Sequence, residues 1–174
     1  MAEDRKLKIL SALSLTESQV EKIKAVDPRI ELHWYGRKDV TRVPAELWRE
    51  AEILLTSLIA LPPAEQTPAL KWVQFYFAGV DKAFQQDIFQ RGGVQLTSAS
   101  GTMVSQMGEY VMMTLLMLGH KAPEMFRFQQ QKVWHEHRVE KLEPIELRGS
   151  TVGIVGYGSI GREVARLLYS YGAK

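Results

Sequence analysis

The run Gly156-Tyr157-Gly158-Ser159-Ile160-Gly161 has the spacing G-x-G-x-x-G, and each glycine has its own physical task in such a turn. Gly156 permits a tight bend, Gly158 has no side chain to block an approaching pyrophosphate, and Gly161 lets a following helix lie close to the preceding strand. The flanking residues give the spacing its meaning. Thr151 to Val155 is rich in β-branched residues and predicts a strand, while Ile160, Val164, Leu167 and Leu168 predict one apolar helix face that stops near Gly172. Such a helix aims its unpaired N–H groups and the positive end of its dipole at a phosphate. No Gly-Lys-Ser/Thr follows, so a triphosphate loop is disfavoured and a dinucleotide, NAD or NADP, is the expected ligand. The residue that separates those two lies about 20 positions beyond the glycines, and the sequence has only thirteen residues after Gly161.

Other residues that could do chemistry carry less specific patterns. His33 falls in a predicted strand, His120 at a helix end, and His135 and His137 in a polar stretch; none lies in a motif with an acid-base partner. His135-Glu136-His137 lacks the four-residue spacing that brings two ligands to one helix face. Met107, Met112, Met113 and Met117 read as packing. The absence of cysteine excludes disulfides, a thiolate nucleophile and Cys-ligated metals. A net charge of +2 with scattered Lys and Arg gives no nucleic-acid footprint. The mixed-charge start is unlike a secretory signal, and the most apolar run, Tyr110 to Gly119, is too short for a membrane span. A cytoplasmic protein without nucleic-acid or membrane partners is expected.

The elements that position the glycine turn follow from apolar patterning. Leu7 to Leu13 predicts a strand, and Thr16 with Gln19 predicts a capping box opening a helix with Val20, Ile23 and Val26 on one face. Ile30, Leu32 and Trp34 alternate as in a half-buried strand, and Pro44 to Glu50 reads as a short helix. Ile53 to Leu58, Trp72 to Phe77 and Val94 to Thr97 are further apolar runs bounded by Pro or Gly. Strands alternating with helices or loops imply right-handed crossovers and a parallel sheet. Residues 1–98 are thus expected to form an α/β, flavodoxin-like, doubly wound domain, and 99–174 a long helix, an arm and the start of a Rossmann domain. The segment from about Val104 to Lys121 is apolar on most sides, which predicts burial between domains or against a second subunit. Phe126 to Arg148 is polar and reads as an exposed arm or linker.

In order along the chain, four motifs resemble the D-isomer-specific 2-hydroxyacid dehydrogenase family. Leu70-Lys71-Trp72-Val73-Gln74 leading to Ala78-Gly79-Val80-Asp81 is similar to its substrate loop, Gly108-Glu109 to its Ala-Glu signature, and Gln129 to Trp134 to its arm. Leu147 to Gly161 resembles the opening of its cofactor domain. The resemblance implies that backbone N–H groups at Gly79 and Val80 hold the carboxylate of a 2-keto or 2-hydroxy acid, a role that suits a nest of amides at a strand end. It also implies that Ala78 lies near the nicotinamide, that the backbone of Ser159 and Ile160 meets the pyrophosphate, and that two copies pair through the 104–121 region. Met103 stands where relatives have Asn or a small polar residue. The family's catalytic Arg, Glu and His have no counterpart, so the chain is expected to be a truncated, inactive front part of an oxidoreductase using NAD or NADP. A non-catalytic, corepressor-like dinucleotide module is the alternative.

Overall fold

The apolar runs of the N-terminal half are the strands of one parallel sheet: β1 (Leu7–Ala12), β2 (Ile30–Trp34), β3 (Ile53–Thr56), β4 (Trp72–Phe75) and β5 (Gln95–Thr97). The structure is a computed structural model that describes residues 5–57 and 61–174; Leu58, the end of one apolar run, lies outside them. The strand order is β2-β1-β3-β4-β5, with every pair parallel. The chain divides into two compact units, Met1–Ser100 and Gly101–Lys174.

Side chains two apart along a strand share a face, and the register uses both faces. Leu10, Leu54 and Val73 stand opposite one another and join Phe75, Trp48 and Ile88 in one core. Ile9, Leu32 and Ile53 form the other with Val20. Helix α1 (Glu17–Lys24) supplies Val20, while α2 (Ala45–Glu50) and α3 (Asp87–Gln90) supply Trp48 and Ile88. Helices therefore cover both faces, which makes the unit doubly wound. Each fully buried Leu, Ile or Phe contributes roughly 1.5–3 kcal/mol.

The capping box is present: Thr16 Oγ1 accepts from the Gln19 amide at 3.3 Å, and Gln19 Oε1 accepts from the Thr16 amide at 2.9 Å. Val26 does not join the apolar face, because the helix ends at Lys24 and Val26 is 80% exposed. The face of β4 and β5 opposite the Val73 core is polar: Trp72 Nε1 donates to Thr97 Oγ1, which donates to Gln74 Oε1, both at 2.6 Å.

In the second unit, α4 (Val104–Gly119) packs against α7 (Ser159–Ser170) through Met112, Val164 and Leu168. Within the single chain, Tyr110, Met113 and Leu118 of α4 are exposed. The polar segment Phe126 to Arg148 begins within α5 (Ala122–Gln131) and contains α6 (Arg138–Lys141), with exposed Trp134 stacked against Arg138 at 4.5 Å. Thr151 to Val155 is not a laddered strand. Its Val152 amide donates to the Lys174 carbonyl and the Lys174 amide to the Ser150 carbonyl, each 2.8 Å. No helix among the described residues is long and apolar enough to cross a membrane.

Glu52 sits at the amino ends of the strands, buried, with its carboxylate 2.6 Å from Lys71 Nζ and 2.8 Å from an Arg5 nitrogen. The hydrogen bond from Lys71, with the charges of Lys71 and Arg5, outweighs burial and holds this carboxyl below its usual range. A depressed folded-state pKa stabilises above the unfolded carboxyl range and is lost as pH falls through the folded value. Glu52→Gln should therefore cost about 1 kcal/mol at pH 7, the partners being largely exposed. The cost should shrink progressively as urea unfolding is carried out at pH values falling below the ordinary Glu value, about 4.3.

Candidate functional site

Parallel strands send all their carboxyl ends to one edge, and there the first unit opens a cleft of about 1190 Å³. It spans the ends of β1, β3 and β4, lined by Leu13 and Ser14, by Leu55 and Ser57, and by Phe75 and Phe77. In the order β2-β1-β3-β4-β5 the chain reverses its winding between β1 and β3, the position where open α/β sheets bind ligands. Gly79 and Val80, singled out in the sequence, line this cleft directly after β4. A Cβ on Gly79 would meet nothing within 4 Å, so its backbone faces open space. Val80 is half-buried and anchors the turn on the core, its carbonyl accepting from the Ala83 amide at 2.9 Å. Ala78 is exposed in the same turn.

The second unit carries the glycine turn. Gly156 has φ +94°, a conformation that suits glycine. A Cβ on Gly161 would collide with the carbonyl oxygen of Gly156, so the helix rides against the turn. Around Gly158 a Cβ would meet nothing within 4 Å. Gly158 is the N-cap of α7, and no side chain caps the helix. Ser159 and Ile160 open the first turn, with Ile160 41% exposed, and Tyr157 is 65% exposed beside them. The Tyr157 carbonyl accepts from Arg162 at 3.3 Å. A cradle with an empty side-chain position and uncapped helical amides fits a pyrophosphate.

Two further residues acquire physical roles. Gly108 permits the close crossing of α4 and α7: its Cβ would lie 2.9 Å from Glu163 Cγ and 3.0 Å from Leu167 Cδ1. Glu109 beside it is exposed. His33, assigned no partner from sequence, pairs with Glu31 at 3.0 Å, since residues two apart on a strand share a face. That alternation was the available signal. The pair does not line the cleft. His135 stacks on Phe128 and contacts Lys141 at 2.8 Å, and no three-residue metal-binding group exists among the described residues.

A doubly wound sheet with an edge cleft, followed by a glycine turn feeding a helix, defines an α/β protein that opens a Rossmann-type unit. Residues 112–174 match the family model described as D-isomer specific 2-hydroxyacid dehydrogenase, NAD binding domain. A glyoxylate/hydroxypyruvate reductase A from Yersinia enterocolitica is 36% identical over 124 residues, 67% of this chain and 38% of that protein. A D-isomer specific 2-hydroxyacid dehydrogenase family protein from Aeromonas salmonicida superposes with a TM-score of 0.74 at 30% identity, covering 97% of this chain and 52% of that one. A D-lactate dehydrogenase from Treponema pallidum gives 0.71 at 26%, covering 95% and 51%. The chain belongs to the D-isomer-specific 2-hydroxyacid dehydrogenase family. It spans about half the length of these solved structures and less of the curated relative.

The two turn glycines should separate in a stability measurement. Gly161→Ala should destabilise the second unit by about 1–3 kcal/mol through forced overpacking. Gly158→Ala should stay within about 0.5 kcal/mol of the parent. Urea unfolding followed by circular dichroism checks both.

Proposed function

We propose that this chain provides the acid-binding and dinucleotide-binding parts of an oxidoreductase that moves a hydride between NAD(H) and a small 2-keto or 2-hydroxy acid. The observation that carries this reading is the turn before α7, where Gly156 bends, Gly161 seats the helix and Gly158 leaves a side-chain position empty. Backbone N–H groups of the Gly156–Gly161 segment hold the pyrophosphate, with Tyr157 flanking it. The description of the matching family model supports NAD over NADP. Gly79 and Val80 present their amides to the substrate carboxylate, and Ala78 leaves room for the nicotinamide. The nicotinamide supplies the hydride when bound; the chain's own residues bind and orient.

Proton exchange at the substrate oxygen needs a positioned acid or base. No histidine lines the cleft among the described residues, so this chain by itself should bind but not turn over. Fluorescence titration should show NADH binding, with no NADH oxidation in the presence of glyoxylate or hydroxypyruvate. Gly158→Val should weaken NADH by at least about tenfold, ~1.4 kcal/mol, with little change in folding. Unchanged NADH affinity in that variant would sink the assignment.

Support for pairing of two copies comes from α4, whose Tyr110, Met113 and Leu118 leave an apolar face exposed. Sedimentation at micromolar concentration should give a homodimer, and Tyr110→Glu with Leu118→Glu a monomer. A monomeric parent chain would remove this part of the reading.

A further inference from the structure

The cleft of the first unit carries more positive charge than one carboxylate requires. Lys22 from α1, Arg37 shortly after β2 and Lys82 after the Gly79-Val80 turn line it, against one acid, Asp81. None of the three cations has a hydrogen-bonded or ionic partner among the described residues. In the same unit Arg5, Lys8, Arg29, Arg42 and Lys71 each pair with a carboxylate. Lys6, Lys38 and Arg49 of the unit also form no ion pair among the described residues, so what sets Lys22, Arg37 and Lys82 apart is that they line the cleft, where all three are exposed to an entering ligand.

Their placement divides them. Lys82 neighbours Gly79 and Val80, so its charge adds to the amides proposed to hold the substrate carboxylate. Arg37 follows β2, and β2 lies three strand positions from β4, which sets the two carboxyl ends about 14 Å apart at ordinary strand spacing. Lys22 stands on α1, which contacts β2. These two serve the far end of the cleft rather than the same carboxylate. Between the ends the lining is largely apolar, including Leu13, Leu55, Phe75 and Phe77.

The geometry points to a substrate that carries a second anionic group, carboxylate or phosphate, at the end remote from its 2-keto or 2-hydroxy acid, received by Lys22 and Arg37. This rests on the reading of the cleft as the acid site. Calorimetric titration of the chain at low ionic strength with pyruvate, 2-oxoglutarate and 3-phosphoglycerate tests it. At least one of the two ligands with a remote anion should bind about tenfold more tightly than pyruvate, ~1.4 kcal/mol, and which one does so identifies the group. In the double variant Lys22→Gln, Arg37→Gln that advantage should fall below about twofold while pyruvate affinity stays unchanged. Equal affinities in the parent chain, or an advantage that survives the double variant, would overturn the assignment. Pyruvate binding without preference removes only this inference. Failure of all three acids to bind removes the acid-site reading as well.

Discussion

The constraint on which the first unit depends is that its strands all run in one direction. Parallel pairing fixes the register from Leu7 opposite Ile30 through Gln74 opposite Thr97, and it forces every crossover to leave from the same edge. The carboxyl edge therefore collects loops that the sheet itself leaves without strand partners. Where the winding reverses, between β1 and β3, neighbouring loops part and a cleft opens without any residue having to be removed from the core. The two apolar clusters on opposite faces then hold the edge in place.

The second unit obeys a local version of the same logic. Gly161 presses against the Gly156 carbonyl, and Gly108 lets α4 lie directly against the side chains of Glu163 and Leu167. Two close approaches on opposite sides of α7 leave the helix little freedom to shift. Its amino end is thereby pointed by packing, independently of any ligand. Gly158 contributes nothing to that packing, which is why its open side-chain position reads as reserved for something else.

The sequence made the parallel sheet legible because its strands are short apolar runs punctuated by Gly and Pro, and because capping by Thr16 has a strict spacing. The glycine turn was equally readable, since each glycine does something no other residue does at low cost. Three features were not. The exposure of α4 depends on how many helices cover it, which its own periodicity does not encode. The segment 151–155 has the composition of a strand, yet among the described residues its backbone bonds run to Lys174 and form no ladder. The cleft cations Lys22, Arg37 and Lys82 are scattered along the chain and meet only through topology, so no local pattern could announce them. His33 with Glu31 shows the converse: strand alternation held the information, and the pairing follows from it.

The placement of the indoles has a practical consequence. Trp34, Trp48 and Trp72 all belong to the sheet unit, where Trp48 is 8% exposed and Trp72 hydrogen-bonds to Thr97. The fourth, Trp134, is 81% exposed on the arm. Intrinsic emission will thus follow melting of the sheet and stay nearly silent when the glycine-turn unit opens, whereas far-ultraviolet ellipticity will register both. Disagreement between the two optical probes would reveal whether the halves unfold as separate cooperative blocks.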